Sequence, residues 1–325
     1  MKNFIKLIFG FAIFIAFVSC EDNVNPFGDL EEKYVLNCVI RGDSTFQTAT
    51  LTKSYQVTNG DPYSIIDDPA VKGATIRIWN QNDKVTVLRD TTISEPEGSN
   101  YKKPYTVFYT NDFQPAENSS VEIEAILPDG KKLRSTALVP AKILIRESQS
   151  TGQIPPKEGD KIYVKWESAQ KQPLFVIRLA IYYFKHEDGV KKRNVLTVPL
   201  YYTNYAGEFI PINPKPQSEL SYEVSMETIS KAMELISKGD ANKGRYEILS
   251  CIAEVLSLNE ELSFYYNGTI RGNDHYSVKL DETDFSNIEN GSGLFGVYMR
   301  SYFVIRFKHS YISSFGYIAG LADVL

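Results

Sequence analysis

Histidines and carboxylates are the side chains of this sequence best suited to acid–base or metal chemistry. The three histidines, His186, His275 and His309, lie far apart and in no zinc-ligand spacing. The sequence contains no His-Glu-x-x-His, Gly-x-Ser-x-Gly or Gly-x-x-x-x-Gly-Lys-Ser/Thr motif. We therefore predict surface or rim histidines, with no catalytic residue, no cofactor and no metal site. A catalytic triad needs no sequence adjacency, so an envelope hydrolase remains the least favoured hypothesis.

Two acidic groups are the remaining candidates for chemistry. Asp67-Asp68 and the group formed by Asp281, Glu282 and Asp284 carry oxygen donors that suit calcium, although the spacing of a helix–loop–helix calcium site is missing. We predict that they are solvated loop charges. A carboxylate pair for glycoside hydrolysis is a spatial arrangement of ~5–9 Å, which sequence cannot reveal.

Tyrosine is abundant, with 21 residues, and is dense at three places. Tyrosine rings can stack on sugars or anchor a protein partner. In an alternating strand, however, one residue of an adjacent pair faces the core and the other covers the rim. The dense places are Tyr182-Tyr183, Tyr201-Tyr202 with Tyr205, and Tyr265-Tyr266. We favour a structural role for these residues over a binding role.

The elements that would position these side chains are mostly strands. The segments ATIRIWN (74–80) and KIYVKWES (161–168) alternate apolar and polar residues, which is typical of half-buried strands. Such segments recur about every ten residues, as in a β-sandwich. The sequence predicts a mainly β protein with two tandem β-sandwich domains that are similar to immunoglobulin or fibronectin type III domains.

A polar segment containing Pro155-Pro156 divides the chain, and domain joints favour such composition. Met226, Ile229, Met233 and Ile236 predict a helix in the second half, and Ser257 with Glu260 forms a capping-box pattern before another. The fold of 310–325 is left open. The predicted regions are an N-terminal sandwich at 34–148, a linker at 149–160, and a C-terminal sandwich at 161–325 with helices near 226–238 and 258–267.

The N-terminus carries an export signature. Lys2 and Lys6 precede the twelve-residue apolar run 7–18, which is broken only by a glycine. This run is shorter than the roughly twenty residues that cross a bilayer, but it fits a signal peptide at 1–19. Ser19-Cys20 resembles a bacterial lipobox, so Cys20 is predicted to carry acyl chains such as palmitate, followed by a tether at 20–33. The alternative is an ordinary secretory signal with an unrelated cysteine.

Net charge and cysteine content narrow the classes of partner. Removing Lys2 and Lys6 leaves 33 basic residues against 40 acidic residues, a net charge of −7. A chain with this net negative charge is not expected to bind nucleic acid through electrostatic attraction. Cys38 and Cys251 lie in apolar segments. They could form a disulfide or remain two buried free thiols, and we favour free thiols.

The segment NIENGSGLFG (287–296) holds three glycines and two asparagines beside Leu294-Phe295. We predict a tight turn that leads into a buried strand, because glycine permits positive φ and close backbone approach. A binding loop is the alternative.

An ordered set of motifs resembles the Bacteroidetes outer-membrane lipoproteins that carry the domain of unknown function numbered 4249. After the lipobox come YVLNCVIRGD, VKGATIRIWN, EIEAILPDGKKLRSTALVP, LSLNEELSFYYNGTI and NIENGSGLFGVY, in that order. The resemblance spans nearly the whole mature chain. Ser292 stands where a Leu or Ile is usual, and the helix around Met233 is longer than expected.

The resemblance implies an outer-membrane address and a receptor-associated role, but supplies no catalytic residues. Glu21-Asp22 after the acylated cysteine resembles a signal for export to the cell surface, and Ser44 and Thr91 lie in segments that resemble an O-glycosylation pattern. Family members accompany TonB-dependent receptors. The leading hypothesis is a non-enzymatic surface lipoprotein that binds a ligand or partner beside such a receptor. The alternative is a glycan-binding accessory lipoprotein of a polysaccharide-utilisation system.

Overall fold

The computed structural model describes residues 32–54, 68–81, 84–94, 104–169, 174–203, 206–212, 215–271 and 285–321. The predicted signal peptide and most of the tether, with Cys20, Glu21 and Asp22, lie outside these ranges.

The described chain contains nineteen strands and three α-helices. The strands are β1 (Tyr34–Arg41), β2 (Gln47–Lys53), β3 (Thr75–Asn80), β4 (Thr86–Val87), β5 (Arg89–Ile93), β6 (Tyr105–Thr110), β7 (Ser120–Ile126), β8 (Lys132–Leu138), β9 (Leu144–Ile145), β10 (Gln153–Ile154), β11 (Lys161–Glu167), β12 (Leu174–Glu187), β13 (Val190–Thr197), β14 (Leu200–Thr203), β15 (Phe209–Ile212), β16 (Ser221–Ser225), β17 (Tyr246–Leu258), β18 (Phe295–Phe307) and β19 (Ile318–Ala319). The helices are α1 (Met226–Ile236), α2 (Glu260–Arg271) and α3 (His309–Ser314).

One long sheet connects the two halves of the chain. Its strand order is β13-β12-β17-β18-β1-β2-β6-β5, with the short strands β10 and β19 added at β18 and β17. The pairing of β1 with β18 is parallel and joins residues near the two ends of the described chain, such as Cys38 and Phe295. The predicted boundary at 149–160 therefore does not separate the hydrogen bonding of the two halves.

Two hydrophobic clusters cover one side of this sheet. The N-terminal cluster lies between the long sheet and the sheet β4-β3-β7-β8, and includes Leu36, Ile76, Ile123 and Phe295. The C-terminal cluster lies beneath α1 and the sheet β16-β11-β9. It includes Ile162, Trp166, Phe175, Ile177, Met233 and Val255. Each cluster is formed because strand residues of one parity face inward.

Strand β18 contributes to both clusters. Phe295, Val297 and Met299 at its start belong to the N-terminal cluster, whereas Ile305 and Phe307 at its end belong to the C-terminal cluster. A strand of this length spans ~3.3 Å per residue and can reach from one cluster to the other. The mainly β prediction is confirmed. Two separate immunoglobulin-like or fibronectin-like sandwiches are not confirmed, because both halves use the same sheet.

Helix α1 has the predicted apolar face. Ser225 caps it by accepting a hydrogen bond from the Thr228 backbone N–H, and Ile229, Met233 and Ile236 are buried. The prediction that these residues serve the core is confirmed. Among the described residues, no helix is long and apolar enough to cross a bilayer.

The predicted capping box before α2 is wrong. Ser257 is buried in β17, which continues to Leu258. The cap is Asn259, whose Oδ1 accepts a hydrogen bond from the Leu262 backbone N–H at 3.2 Å. An apolar strand competes with the helix for Ser257, because burying its side chain on the sheet excludes it from the turn.

The last described segment, left open from the sequence, folds onto α1. Strand β19 pairs with β17, and the Tyr317 hydroxyl donates to the Met233 carbonyl at 2.6 Å. Rings of Tyr246, Tyr317 and Phe315 follow one another at centroid separations of 5.9 and 6.1 Å. This aromatic packing fixes the C-terminal segment against the core.

Candidate functional site

The candidate site lies on the side of the long sheet opposite the two hydrophobic clusters, which we call the sheet face. Strand register places Glu254 of β17 between Arg178 of β12 and Tyr302 of β18. Arg300 lies two residues before Tyr302 and therefore points to the same side. Arg41 of β1 points the same way, since its neighbour Ile40 is in the N-terminal cluster.

Five charged side chains on the sheet face form one connected network. The Arg300 Nη1 lies 2.9 Å from a Glu254 carboxylate oxygen, and its Nε lies 3.0 Å from Asp43 Oδ2. Arg178 binds the other Glu254 oxygen at 2.8 Å. Arg41 contacts both oxygens of Asp43, at 2.7 and 2.9 Å. Three guanidinium groups share two carboxylates, so the network carries one excess positive charge.

Burial strengthens this network. The side chains of Glu254, Asp43 and Arg300 are only 8%, 15% and 18% exposed, whereas those of Arg41 and Arg178 are 38% and 43% exposed. Partial burial raises the pKa of Asp43, but Arg41 and Arg300 outweigh it, and the net pKa lies below the usual value. The partly exposed guanidinium groups of Arg41 and Arg178 therefore face solvent, while the largely buried side chains of Asp43, Glu254 and Arg300 hold them in place.

Aromatic rings flank the charged network. The Arg300 guanidinium lies 5.8 Å from the centroid of Tyr302, whose side chain is 42% exposed. Farther along the same side of the sheet, Phe46 is 52% exposed and its ring lies 6.3 Å from that of Tyr109. Arginine donors beside open ring faces can bind carboxylates, hydroxyl-rich ligands or the side chains of a protein partner.

A second charged group occupies the outer side of the smaller N-terminal sheet. Glu124 is 1% exposed and contacts Arg77, Arg134 and Lys132 from neighbouring strands. Burial raises the pKa of Glu124, but its hydrogen bonds to Arg134 and Arg77 outweigh that effect and lower the pKa overall. All of these partners are directed at the single carboxylate, so this group ties β3, β7 and β8 together.

The described histidines are apart. His186 lies 2.8 Å from Glu247, which also accepts a hydrogen bond from Lys191 at 2.9 Å. His309 is exposed at the start of α3, and His275 lies outside the described residues. For the two described histidines, the predicted surface or rim position is confirmed.

The acidic groups are described only in part. Asp68 accepts hydrogen bonds from the Ala70 and Thr106 backbone N–H groups, so it ties its loop to β6. The other predicted acids, Asp67, Asp281, Glu282 and Asp284, lie outside the described residues. Within the described ranges no group of three or more His, Cys, Asp or Glu side chains is placed to hold a metal.

Cys38 and Cys251 are free and buried, as the sequence favoured. They lie in different hydrophobic clusters, Cys38 in the N-terminal and Cys251 in the C-terminal. Burial raises the pKa of each thiol to about 12. At neutral pH both are protonated and serve as small apolar side chains.

The predicted O-glycosylation residues occupy different settings. Ser44 is half-buried in the turn between β1 and β2, where its hydroxyl accepts a hydrogen bond from the Phe46 N–H at 3.1 Å. Thr91 is exposed on the edge strand β5. Whether either carries a glycan stays a prediction.

The glycines of 287–296 serve packing, as predicted. The Leu36 N–H donates to the Ser292 carbonyl at 2.9 Å, which brings this segment against β1. Gly293 has φ +121°, and a Cβ atom there would lie 2.1 Å from the Leu36 carbonyl oxygen. A Cβ atom at Gly296 would lie 2.4 Å from Leu262 of α2. The segment therefore forms a structural turn that feeds β18.

The tyrosine pairs differ from one another. Tyr183 packs against the C-terminal cluster, whereas Tyr182 is half-buried beneath Arg193, as the alternation predicted. The same prediction is wrong for Tyr265 and Tyr266, which are 38% and 39% exposed, because they lie on α2 rather than on a strand. The side chains of Tyr201 and Tyr202, and all of Tyr205, lie outside the described residues.

A cleft of about 690 Å³ lies where the chain passes between its halves. It is lined by residues 147–148, 150–153 and 156–158 and by Arg306, Phe307 and Lys308 at the end of β18. Its charged side chains carry both signs, and none of them is buried. The cleft therefore lacks the enclosed, oriented polar groups that characterise most small-molecule sites.

Sequence reasoning missed the charged network. One signal was available: Glu254 is the only charged residue in the run ILSCIAEVLSL (248–258), and an acid in a buried strand needs a cationic partner. Its partners Arg178 and Arg300 are each more than forty residues away, at separations of 76 and 46 positions. Only the sheet order brings these three residues together.

Comparison with known proteins supplies a family. The family model described as Domain of unknown function (DUF4249) matches residues 22–301. No curated protein matches the sequence. The resemblance stated from the ordered motifs is confirmed, and the matched range covers all the strands of both clusters up to the middle of β18. The chain therefore belongs to the DUF4249 family.

Proposed function

We propose that this chain is a non-enzymatic, lipid-anchored outer-membrane protein that binds a partner through its sheet face. The observation that carries the proposal is the buried charged network, which holds Arg41 and Arg178 half-exposed. The exposed ring of Tyr302 lies 5.8 Å from Arg300 of the same network. Hydrogen bonds to the buried carboxylates limit the motion of Arg41 and Arg178, so these side chains lose less conformational entropy when they bind a partner. Arginine and tyrosine are residues that often dominate protein interfaces.

The proposed partner is a TonB-dependent receptor of the outer membrane. Support comes from the family resemblance and from the export signature at 1–22, with Cys20 as the acylated residue and Glu21-Asp22 directing the chain to the cell exterior. A lipid anchor confines the protein to the membrane surface, which raises its effective concentration beside a membrane partner.

Fractionation tests the anchor. Replacing Cys20 by alanine removes the acylation site, so we expect the variant in the soluble fraction while the wild-type chain stays with the outer membrane. Ser19→Ala, which keeps the cysteine and a small residue before it, serves as the matched control and should remain membrane-bound. Membrane retention of the Cys20→Ala chain would contradict the anchor.

Affinity purification tests the partner. We expect the wild-type chain, purified from detergent-solubilised outer membranes, to bring down a TonB-dependent receptor. Arg178→Glu together with Tyr302→Ala should reduce recovery at least about tenfold, since interface arginine and tyrosine residues each contribute ~1–2 kcal/mol or more. Lys142→Glu, at an exposed ion pair away from the sheet face, is the control. Undiminished recovery by the double variant would overturn the sheet-face assignment.

A glycan-binding role is the second candidate, and the ring of Tyr302 beside Arg300 is the observation that favours it. Sugar rings stack on exposed aromatic faces while neighbouring arginine and carboxylate groups bind their hydroxyls. A glycan array probed with the soluble Cys20→Ala chain tests this candidate. Glycan binding that Tyr302→Ala abolishes would support a glycan-binding role, and the absence of binding to any glycan on the array would contradict it.

We modify the arrangement of two tandem sandwiches that the sequence predicted. We infer two sandwich-like packing units, one for each of the two large hydrophobic clusters, which share the long sheet. On its opposite side a smaller cluster of Leu258, Leu262 and Leu294 packs under α2, and the remainder of that side is the sheet face. The shared strand β18 supports this arrangement, because it carries residues of both clusters on one side and Arg300 and Tyr302 on the other.

A further inference from the structure

Strand β13 ends the long sheet on the C-terminal side, and its outer edge pairs with no other strand in the described part of the chain. It is eight residues long and mostly exposed, and Val190 and Val195 are 66% and 55% exposed. An unpaired edge of this length offers a template to which another extended chain can add.

The register identifies the backbone groups that face outward. The Val198 N–H donates to the Leu179 carbonyl at 2.7 Å, so these two residues form a hydrogen-bonded pair. Such pairs alternate along an antiparallel ladder with pairs whose backbone groups point away from each other. Since Arg193 is opposite Phe184 and Val195 is opposite Tyr182, the N–H and C=O groups of Arg193 and Val195 point away from β12.

The same edge is basic. Lys191, Lys192 and Arg193 are consecutive on β13, and Lys185 of β12 is paired with Lys192. Among the described residues, Glu247 pairs with Lys191 and Glu187 pairs with Lys185. The Arg193 guanidinium lies 5.4 Å from the Tyr182 ring centroid, which holds it on the sheet face beside the outer edge.

These charges select among extended partners. A second copy of β13 added to the edge would place lysine and arginine against lysine and arginine, which is unfavourable in cross-strand pairs. An acidic strand would pair its backbone with Arg193 and Val195 and its carboxylates with the basic side chains on both sides of the sheet. We propose that β13 binds an extended acidic segment of another protein by strand addition.

This docking edge lies at the β13 end of the long sheet, apart from the charged network around Arg300, and its assignment does not depend on the proposed receptor partner. Fluorescence anisotropy with the soluble Cys20→Ala chain tests it, using a labelled peptide of about ten residues that alternates Glu with Thr or Val. A peptide with Lys in place of Glu is the matched probe. We expect binding of the acidic peptide alone, and slower hydrogen exchange at the Arg193 and Val195 amides when it is bound.

Val195→Pro removes an N–H that points away from β12, so no hydrogen bond to β12 is lost. Edge strands tolerate proline at such positions. We expect at least about tenfold weaker binding of the acidic peptide by this variant, whereas Val195→Thr, which keeps the N–H, should bind as wild type. If Val195→Pro fails to fold, the hydrogen-exchange footprint on the unaltered strand decides instead.

Three results would overturn the proposal: failure of the acidic peptide to bind, equal binding by folded Val195→Pro, or an exchange footprint away from β13. A concentration-dependent dimer that Val195→Pro abolishes would assign the edge to a second copy and would also overturn it. Failure of the receptor purification described above leaves these results unaffected, so the two proposals fail separately.

Discussion

At the scale of single residues, Arg300 organises the sheet face. It is the shared partner of Asp43 and Glu254, two carboxylates that lie far apart in the sequence. A buried carboxylate that loses its cationic partner keeps the cost of its lost hydration. The strength of the network therefore depends more on this arginine than on the exposed ones.

Replacing Arg300 by methionine should lower the free energy of unfolding by about 1–3 kcal/mol, because two partly buried carboxylates each lose a charged donor. Lys142→Met is the control, since its pair with Glu117 is exposed and worth ~0.5 kcal/mol or less. Urea unfolding of both variants measures the difference. Equal effects in the two variants would contradict the organising role of Arg300.

The depressed pKa of Asp43 gives a pH signature. Its ordinary value is 3.8, and the folded value is lower, so its stabilising effect is present above pH 3.8 and is lost as the pH falls through the folded pKa. We expect the stability difference between wild type and Asp43→Asn to be constant from pH 7 to about pH 5 and to shrink below 3.8. A difference that persists unchanged at the lowest pH where the chain still folds would contradict this pKa.

The two buried thiols give a chemical signature. Their raised pKa values of about 12 and full burial make reaction with a thiol reagent in the native state much slower than in denaturant. A Cys20→Ser chain treated with the reagent tests this, with Cys38→Ser and Cys251→Ser chains as references for each position. Rapid reaction in the native state would contradict the burial of the reacting cysteine.

At the scale of elements, the segment 287–296 joins β1, α2 and β18. Sequence correctly predicted a turn leading into a strand there, because glycine and asparagine indicate a turn locally. It did not predict why Gly293 is needed, because the atom that excludes a side chain is the carbonyl oxygen of Leu36, more than 250 positions away.

Gly293→Ala should lower the free energy of unfolding by about 3 kcal/mol or more, since the added Cβ meets backbone and φ is +121°. Gly152→Ala is the matched control, because a Cβ atom there has no neighbour within 4 Å and φ is unremarkable. We expect that control to change stability by ~0.5 kcal/mol or less. Thermal or urea unfolding compares the two. A mild effect at Gly293 would contradict the close approach to β1.

Local sequence patterns predicted some of these elements correctly and others wrongly. The α1 helix and most strands follow from periodicity, because burial of one face requires it. The start of α2 was misplaced, since a buried strand and a helix cap compete for Ser257 and tertiary packing decides. The aromatic packing of Phe315 and Tyr317 could not be predicted, because it depends on the distant residues Ser237 and Tyr246.

At the scale of the whole molecule, strand order is what the sequence could not provide. Composition and alternation indicate a mainly β protein, but parallel pairing of β1 with β18 connects segments separated by most of the chain. Such non-local pairing leaves no local pattern. The two clusters thus depend on each other, and the sheet face exists only when both halves are in place.

A fragment containing residues 32–148 should not unfold cooperatively, because Phe295, Val297 and Met299 of β18 are missing from its hydrophobic cluster. Near-ultraviolet circular dichroism and urea unfolding test this, with the Cys20→Ser full chain as the control. A cooperative transition of the isolated fragment with stability close to that of the full chain would contradict the shared core.

The most direct test of the central claim is photo-crosslinking in living cells from Tyr302, which is 42% exposed on the sheet face. A photoreactive phenylalanine replaces Tyr302, and the control replaces Tyr163, which is 40% exposed on β11 of a different sheet. We predict an adduct with a TonB-dependent outer-membrane receptor, identified by mass spectrometry, from Tyr302 and not from Tyr163. No receptor adduct from Tyr302, or equal adducts from both positions, would contradict partner binding through the sheet face.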